Sequence, residues 1–122
     1  MRRLDDYWRQ VLRYERVFLM KLDVQGFEGF VIKGGAEMLA SKPPLFIFME
    51  FSPSRQSLYK IDATQMFKDL LGYGYRIKNL DDGHEIKSEE SIAALLRSEE
   101  PVWLRMKHTA ALASYAEGDI KL

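Results

Sequence analysis

The chain contains no cysteine, which excludes a disulfide framework and any zinc or iron–sulfur site with cysteine ligands. Its apolar runs fall far short of the roughly 18 residues that a transmembrane helix needs, and its N-terminus lacks the apolar segment of a secretory signal peptide. Neither sign of charge is in excess, because 18 Lys and Arg side chains balance 18 Asp and Glu side chains. A neutral total gives no indication of a nucleic-acid or membrane partner. These absences predict a cytoplasmic globular protein.

Several motifs of known catalytic sites are also missing. The 122 residues contain neither a GxSxG nucleophile elbow nor a P-loop that cradles phosphate. The two histidines, His84 and His108, offer no histidine cluster for a metal. We expect both on exposed loops, without a catalytic role.

Hydrophobic patterning predicts alternating helices and strands over a single domain, residues 1–122. Two continuous apolar runs, 17–23 and 45–51, are typical of strands covered on both faces of a parallel sheet. The other predicted strands are 75–80 and 102–107, and the predicted helices are 4–14, 28–40, 63–71 and 88–96. The alternation predicts an α/β fold with a mostly parallel sheet and helices on both faces.

The residues at the predicted boundaries have the expected chemistry. Either Asp62 or Thr64 is the N-cap candidate for the helix at 63–71, and Ser88 is the candidate for the helix at 88–96. Asp-Asp-Gly at 81–83 is a hairpin turn signal. Gly34 and Gly35 weaken the helix that contains them. They favour close packing of that helix on the sheet over a role in ligand binding.

Acidic residues lie where the two apolar strands end. Asp23 closes the first run, Glu50 lies near the end of the second, and Glu28 opens the intervening helix. Neighbouring strands lie about 4.8 Å apart, and ligands of open parallel sheets bind at the carboxyl ends of the strands. We therefore expect the three carboxylates at one edge of the sheet, with Gly26 allowing a tight turn beside a ligand.

Three interpretations of these acids remain open. Two carboxylates that lie close together raise each other's proton affinity, which suits a general base for a hydroxyl group. The same pair, Asp23 and Glu50, offers hard oxygen ligands to a divalent cation. Alternatively, both side chains cap nearby backbone N–H groups and take no part in chemistry. Lys21 is expected to extend along the sheet and to place its ammonium beside a carboxylate or a substrate.

The segment VFLMKLDVQGFEGFVIKGGAEMLASKPPLFIFMEFSP, residues 17–53, resembles the central signature of the FkbM-type methyltransferases. That family has Lys-Ile-Asp-Val-Glu/Gln-Gly-x-Glu after an apolar strand, and here KLDVQGFE at 21–28 takes its place. Two prolines and a second strand with Glu50 near its end complete the likeness. The resemblance implies the doubly wound, Rossmann-like fold of class I methyltransferases. It also implies transfer of a methyl group from S-adenosylmethionine to a hydroxyl oxygen of a small molecule.

The resemblance implies residue roles as well. A carboxylate would accept the hydroxyl proton of the acceptor, and positioning would supply most of the catalysis. The implied site residues are Asp23 and Glu50 as catalytic carboxylates, Gln25 and Gly26 for S-adenosylmethionine, and Lys21 and Glu28 for the acceptor.

Members of this family bind the cofactor with a Gly-rich loop after their first strand and an acid at the end of their second. Residues 1–16 contain no glycine and no predicted strand. We therefore expect the C-terminal portion of a methyltransferase domain, without the N-terminal cofactor-binding half. The 17–23 strand would then have an exposed edge, which predicts self-association or pairing with a separate N-terminal half.

Two other functions are compatible with the residues. One is a non-catalytic α/β interaction module that pairs with a partner through the exposed sheet edge. The other is an unrelated small α/β enzyme that uses Asp23 and Glu50 with a metal ion.

Overall fold

Seven helices and five strands make up the part of the chain that the computed structural model describes, residues 3–23, 28–58, 62–98 and 100–114. The strands are β1 (Leu19–Leu22), β2 (Phe46–Phe51), β3 (Tyr75–Asn79), β4 (Glu85–Ile86) and β5 (Val102–His108). The helices are α1 (Leu4–Gln10), α2 (Glu28–Gly34), α3 (Ala36–Ser41), α4 (Pro53–Leu58), α5 (Ala63–Gly72), α6 (Glu89–Leu96) and α7 (Thr109–Ser114). Within those residues, no helix is long and apolar enough to cross a bilayer.

The five strands form one mixed sheet in the order β1-β2-β5-β3-β4. Strands β1 and β2 are parallel, and the other three neighbouring pairs are antiparallel. The predicted α/β class is confirmed, but the predicted mostly parallel, doubly wound sheet is wrong. The reason is the position of β5, the last strand in the chain, which lies between β2 and β3 and runs opposite to both. Although β1, β2 and β3 run in the same direction, β3 meets the reversed β5 instead of β2.

One face of the sheet carries the hydrophobic core. Successive side chains of a strand point to opposite faces, and alternate residues of β2, β3 and β5 are buried. Helices α2, α3, α5 and α6 pack their buried residues against these strands. The core includes Ile47, Met49, Phe51, Tyr75, Ile77, Val102, Leu104 and Met106 from the strands and Ile32, Leu39, Met66, Phe67, Leu70, Ile92 and Leu95 from the helices.

The opposite face, which we call the second face, is covered less completely. The register aligns Lys21, Phe48, Arg105 and Lys78 across four strands on this face, and each of them is half-buried or exposed. Leu19 on the same face is 51% exposed. The prediction that the strands at 17–23 and 45–51 are covered on both faces is therefore wrong. The helices that form the core lie on one face only, instead of the predicted two.

The predicted helix 28–40 is divided into α2 and α3 at Gly35. A Cβ atom on Gly35 would lie 2.6 Å from Cδ2 of Leu4, so the glycine lets α1 approach closely. The predicted packing role is confirmed, but the partner is α1 and not the sheet.

The N-terminus of α3 is held by Asp5, which is 3% exposed. The backbone N–H groups of Glu37 and Met38 donate to its two carboxylate oxygens, at 3.0 and 2.9 Å.

Other boundaries follow the predicted chemistry closely. The side chain of Asp62 accepts the N–H of Gln65 at the start of α5, and Ser88 forms a capping box with Ser91 at the start of α6. The turn at 81–83 joins β3 to β4 as a hairpin. Helix α1 ends at Gln10, four residues earlier than predicted.

His108 is buried, so its predicted position on an exposed loop is wrong. Its Nδ1 accepts the N–H of Ala111 at 2.9 Å, which leaves the ring proton on Nε2 to be donated to the carbonyl of Tyr73 at 2.8 Å. The ring also stacks edge-on against Tyr75, with the centroids 5.1 Å apart. The histidine therefore joins the end of β5 to the start of α7 and to the turn before β3.

Replacing Asp5 with alanine is expected to lower the free energy of unfolding by about 2 kcal/mol, because two backbone donors at the start of α3 lose a buried, charged acceptor. Asp6 is the matched control. It forms a surface ion pair with Arg9, so Asp6→Ala is expected to cost less than about 1 kcal/mol. Urea denaturation measures both values, and equal losses would contradict a capping role for Asp5.

Gly74 adopts a φ of +105°, and a Cβ atom there would lie 2.9 Å from Nε2 of His108. Gly74→Ala is therefore expected to destabilise the protein by about 1–3 kcal/mol. A Cβ atom on Gly72 would meet no neighbouring atom within 4 Å. Gly72→Ala is therefore expected to leave the stability unchanged or to raise it by up to about 1 kcal/mol. Thermal melting of the two variants should separate them clearly, and an unchanged melting temperature for Gly74→Ala would show that the turn rearranges at no cost.

Candidate active site

The parallel pairing of β1 with β2 brings two of the predicted acids to the same end of the sheet. The register runs from Leu19 opposite Phe46 to Leu22 opposite Met49. Asp23 and Glu50 each follow the last of these pairs by one residue. Because the two strands run in the same direction, both carboxylates lie at the carboxyl end of the pair.

A cavity of about 110 Å³ lies at this end and collects the three predicted acids. Its described lining residues are Asp23, Glu28, Glu50, Ser52, Arg55 and Pro101. We call it the carboxylate cavity. The acids come from β1, α2 and β2, so the predicted convergence of the three side chains at one edge of the sheet is present in the structure. Their chemical roles stay predictions.

The three carboxylates differ in their exposure to water. Asp23 is exposed, Glu50 is half-buried, and Glu28 is only 1% exposed. Glu28 occupies the first turn of α2, where the helix dipole favours negative charge. Asp23 is therefore the carboxylate that an incoming molecule can reach most directly, whereas Glu28 belongs to the wall of the cavity.

Sequence reasoning missed Ser52 and Arg55 as members of this cavity. Residues 52–54, Ser-Pro-Ser, predict a loop, but helix α4 begins at Pro53. A serine followed by proline is a common helix start, since proline is preorganised for the first helical position, and this signal could have identified the helix. The helix carries Arg55 to the cavity as its one described cation, and Ser52 adds a hydroxyl that is 8% exposed.

Lys21 does not line the carboxylate cavity among the residues described. Its Nζ lies 5.4 Å from the centroid of the Trp103 ring, a cation–π distance, on the second face of the sheet. Lys21 is opposite Phe48 in the β1–β2 register and Trp103 is opposite Glu50 in the β2–β5 register, so the lysine reaches diagonally across β2 to an aromatic ring. The predicted pairing of its ammonium with a carboxylate at the edge is therefore not observed.

Gln25 and Gly26, the residues predicted to contact S-adenosylmethionine, lie outside the described residues. In the described ranges, no group of three or more His, Cys, Asp or Glu side chains is arranged to hold a metal ion. What the cavity offers is three carboxylate acceptors, one guanidinium and one hydroxyl. This set can accept a proton from a bound molecule and can stabilise a positive charge beside it.

Comparison with known proteins adds one finding. No curated protein and no solved structure matches the chain. The methyltransferase FkbM domain matches residues 1–77, from α1 into β3. The matched segment contains all three acids and Arg55, whereas β5 and α6 lie beyond it. Because the match covers more than half of the 122 residues, the chain belongs to the methyltransferase FkbM domain family.

Proposed function

We propose that this chain supplies the acceptor-side carboxylates of an S-adenosylmethionine-dependent methyltransferase that acts on a hydroxyl group. One observation carries the proposal. Three acids from three separate elements converge on one cavity, and all three lie within the segment that matches the FkbM methyltransferase domain. A carboxylate edge of this kind suits a reaction in which the acceptor must lose a proton.

Asp23 is the proposed proton acceptor. It is the exposed carboxylate of the cavity, so the hydroxyl of an acceptor can reach hydrogen-bonding distance without displacing the wall. Glu50, half-buried on the neighbouring strand, is the second candidate. Glu28 in the wall would orient the acceptor by accepting a hydrogen bond. Arg55, the described cation of the cavity, offsets part of the negative charge.

In this proposal the cavity would hold the reacting end of S-adenosylmethionine and not the whole molecule. When bound, the cofactor supplies an electrophilic methyl group on a sulfonium cation, and three carboxylates form a favourable environment for that charge. Sites that enclose a ligand of this size occupy about 300–1,000 Å³, whereas this cavity measures about 110 Å³. The adenosyl part therefore needs further residues, for which Gln25 and Gly26 are the candidates in this chain.

The proposal is tested with Asp23→Asn and Glu50→Gln. In the presence of S-adenosylmethionine and a panel of hydroxyl acceptors, with and without a family N-terminal half added as a separate polypeptide, release of S-adenosylhomocysteine is measured. Loss of the general base is expected to lower kcat by about 10²–10⁴-fold for Asp23→Asn, with a smaller loss for Glu50→Gln. Calorimetry with S-adenosylmethionine should show that both variants still bind the cofactor.

Glu90→Gln is the matched control, because Glu90 is an exposed acid on α6 and does not line the carboxylate cavity. Its activity should equal that of the unmodified chain. Absence of any cofactor heat in both mixtures would contradict the methyltransferase proposal. Full activity of Asp23→Asn would remove Asp23 from the mechanism.

A second function is favoured by the position of β1. This strand lies at the edge of the described sheet and is paired there only with β2. Phe18 and Leu19, at its start, are each 51% exposed, which is a large apolar area for a strand edge. We infer that β1 is a pairing edge for a second copy of the chain or for an N-terminal half of the same family.

Edge pairing predicts concentration-dependent association of the purified chain. Leu19→Lys places a charge on the edge strand and is expected to shift the protein towards monomer in sedimentation velocity runs over a concentration series. Leu80→Lys is the control, because Leu80 is 41% exposed beyond the end of β3 and should not affect pairing through β1. A monomer at all concentrations, with no complex formed on adding the N-terminal half, would exclude this function.

A further inference from the structure

A groove of about 290 Å³ lies on the second face of the sheet and shares no lining residue with the carboxylate cavity. Its charged walls are formed by Arg76 and Lys78 of β3, Arg105 and Lys107 of β5, and Glu85 of β4. We call it the basic groove. Pro101 lines the carboxylate cavity just before β5 begins, and it precedes Arg105 and Lys107 of the basic groove by four and six residues, or roughly 13–20 Å along an extended chain.

The four cations of the basic groove form a compact block. In the β3–β5 register Arg76 is directly opposite Lys107, and Lys78 is directly opposite Arg105. Like charges in directly opposite positions of an antiparallel pair destabilise the sheet. The fold therefore holds two repulsive pairs side by side, which an anion between them would relieve.

The described residues of the groove provide one acid for four cations, Glu85, which is directly opposite Lys78 in the β3–β4 register. Glu85 is the one carboxylate among the described lining residues, and its Oε1 accepts from the guanidinium of Arg76 at 2.7 Å. That contact lowers the pKa of Glu85, so its charge is present at neutral pH. On the other side, β2 places Phe46 opposite Lys107 and Phe48 opposite Arg105, so no negative charge faces the cations from that strand.

The four cations of the basic groove are a local concentration of positive charge and do not reflect an excess of positive charge over the whole chain. The whole chain has equal numbers of cations and anions, so four cations with one acid in a single groove is a concentration of charge. Arg105 and Lys107 are half-buried, which weakens their interaction with water and strengthens their attraction for an anion. Two guanidinium groups in one groove offer the planar fork that binds phosphate oxygens in pairs.

We propose that the basic groove binds a small phosphate-bearing anion, either inorganic phosphate or the phosphate group of a small organic molecule. The volume of about 290 Å³ is at the lower end of small-molecule sites, so the groove suits a compact ligand. Arg76 and Arg105 would bind phosphate oxygens by paired hydrogen bonds, and Lys78 and Lys107 would balance the remaining charge. The proposal is independent of the methyltransferase function.

Calorimetric titration of the full chain at constant ionic strength tests this site with inorganic phosphate and with glycerol 3-phosphate. Saturable binding is expected for at least one of them. The double variant Lys78→Gln/Arg105→Gln should weaken it by at least about tenfold, because charge-assisted hydrogen bonds are lost. Arg105→Lys keeps the positive charge but loses the planar guanidinium, so its affinity for phosphate should lie between those of the unmodified chain and the double variant. Lys68→Gln should bind normally, because Lys68 pairs with Glu89 away from the groove.

Thermal melting without phosphate separates a binding defect from unfolding. Since the double variant removes like-charge repulsion, it should melt no lower than the unmodified chain. Tighter binding of glycerol 3-phosphate would identify an organic phosphate as the ligand, and equal binding would identify free phosphate. No saturable heat with either probe, or equal binding by the double variant, would overturn the proposal. Equal heats from sodium chloride at the same ionic strength would reduce it to general screening and overturn it as well.

Discussion

The structure depends on the pairing of β5 with a strand on each side. Its buried residues Val102, Leu104 and Met106 alternate with Trp103, Arg105 and Lys107, which point to the second face. Because the register fixes which side chains lie opposite each other, the alternation of β5 determines which residues of β2 and β3 face the core and which face the other side. Met106 lies opposite Ile47 of β2 and Ile77 of β3 in the core, whereas the cations of β5 lie opposite phenylalanines on one side and cations on the other. A slip of one residue would exchange the two sets and expose the core.

The carboxylate cavity depends instead on the one parallel pair of the sheet, β1 with β2. Parallel neighbours need a crossover, and here α2 and α3 provide it. The crossover is held in place by contacts remote from the acids: Gly35 admits Leu4 of α1, and the carboxylate of Asp5 binds the start of α3. Glu28 begins the same crossover and lines the cavity, whereas α1 contacts the crossover at Gly35 and at the start of α3. Among the described residues, none of those in α1 lines the cavity.

The sequence predicts local structure well where a boundary has its own chemistry. Ser88 caps its helix as predicted, and Asp62 is the one of two predicted candidates that caps α5. The convergence of Asp23 with Glu50 follows from two strand ends joined by a helix. The direction of β5 could not be predicted, because alternating burial has the same period in parallel and antiparallel strands. The apolar run of β2 predicts burial on both faces, yet Phe46 and Phe48 are only half-buried. An apolar run shows that both faces of a strand are hydrophobic, but it does not show which elements pack on each face.

The second face joins two surfaces of opposite chemistry. Over β1 and β2 it is apolar, with Leu19, Phe46 and Phe48 incompletely covered, and over β3 and β5 it is cationic. Lys21 above the ring of Trp103 lies on the apolar side. Apolar surface is stabilised by packing, whereas a block of like charges is stabilised by a counter-anion, so no single kind of neighbour satisfies both halves. A protein segment that covered the β1–β2 half would leave the basic groove open to small anions, and pairing through the sheet edge and phosphate binding can therefore take place on one molecule at the same time.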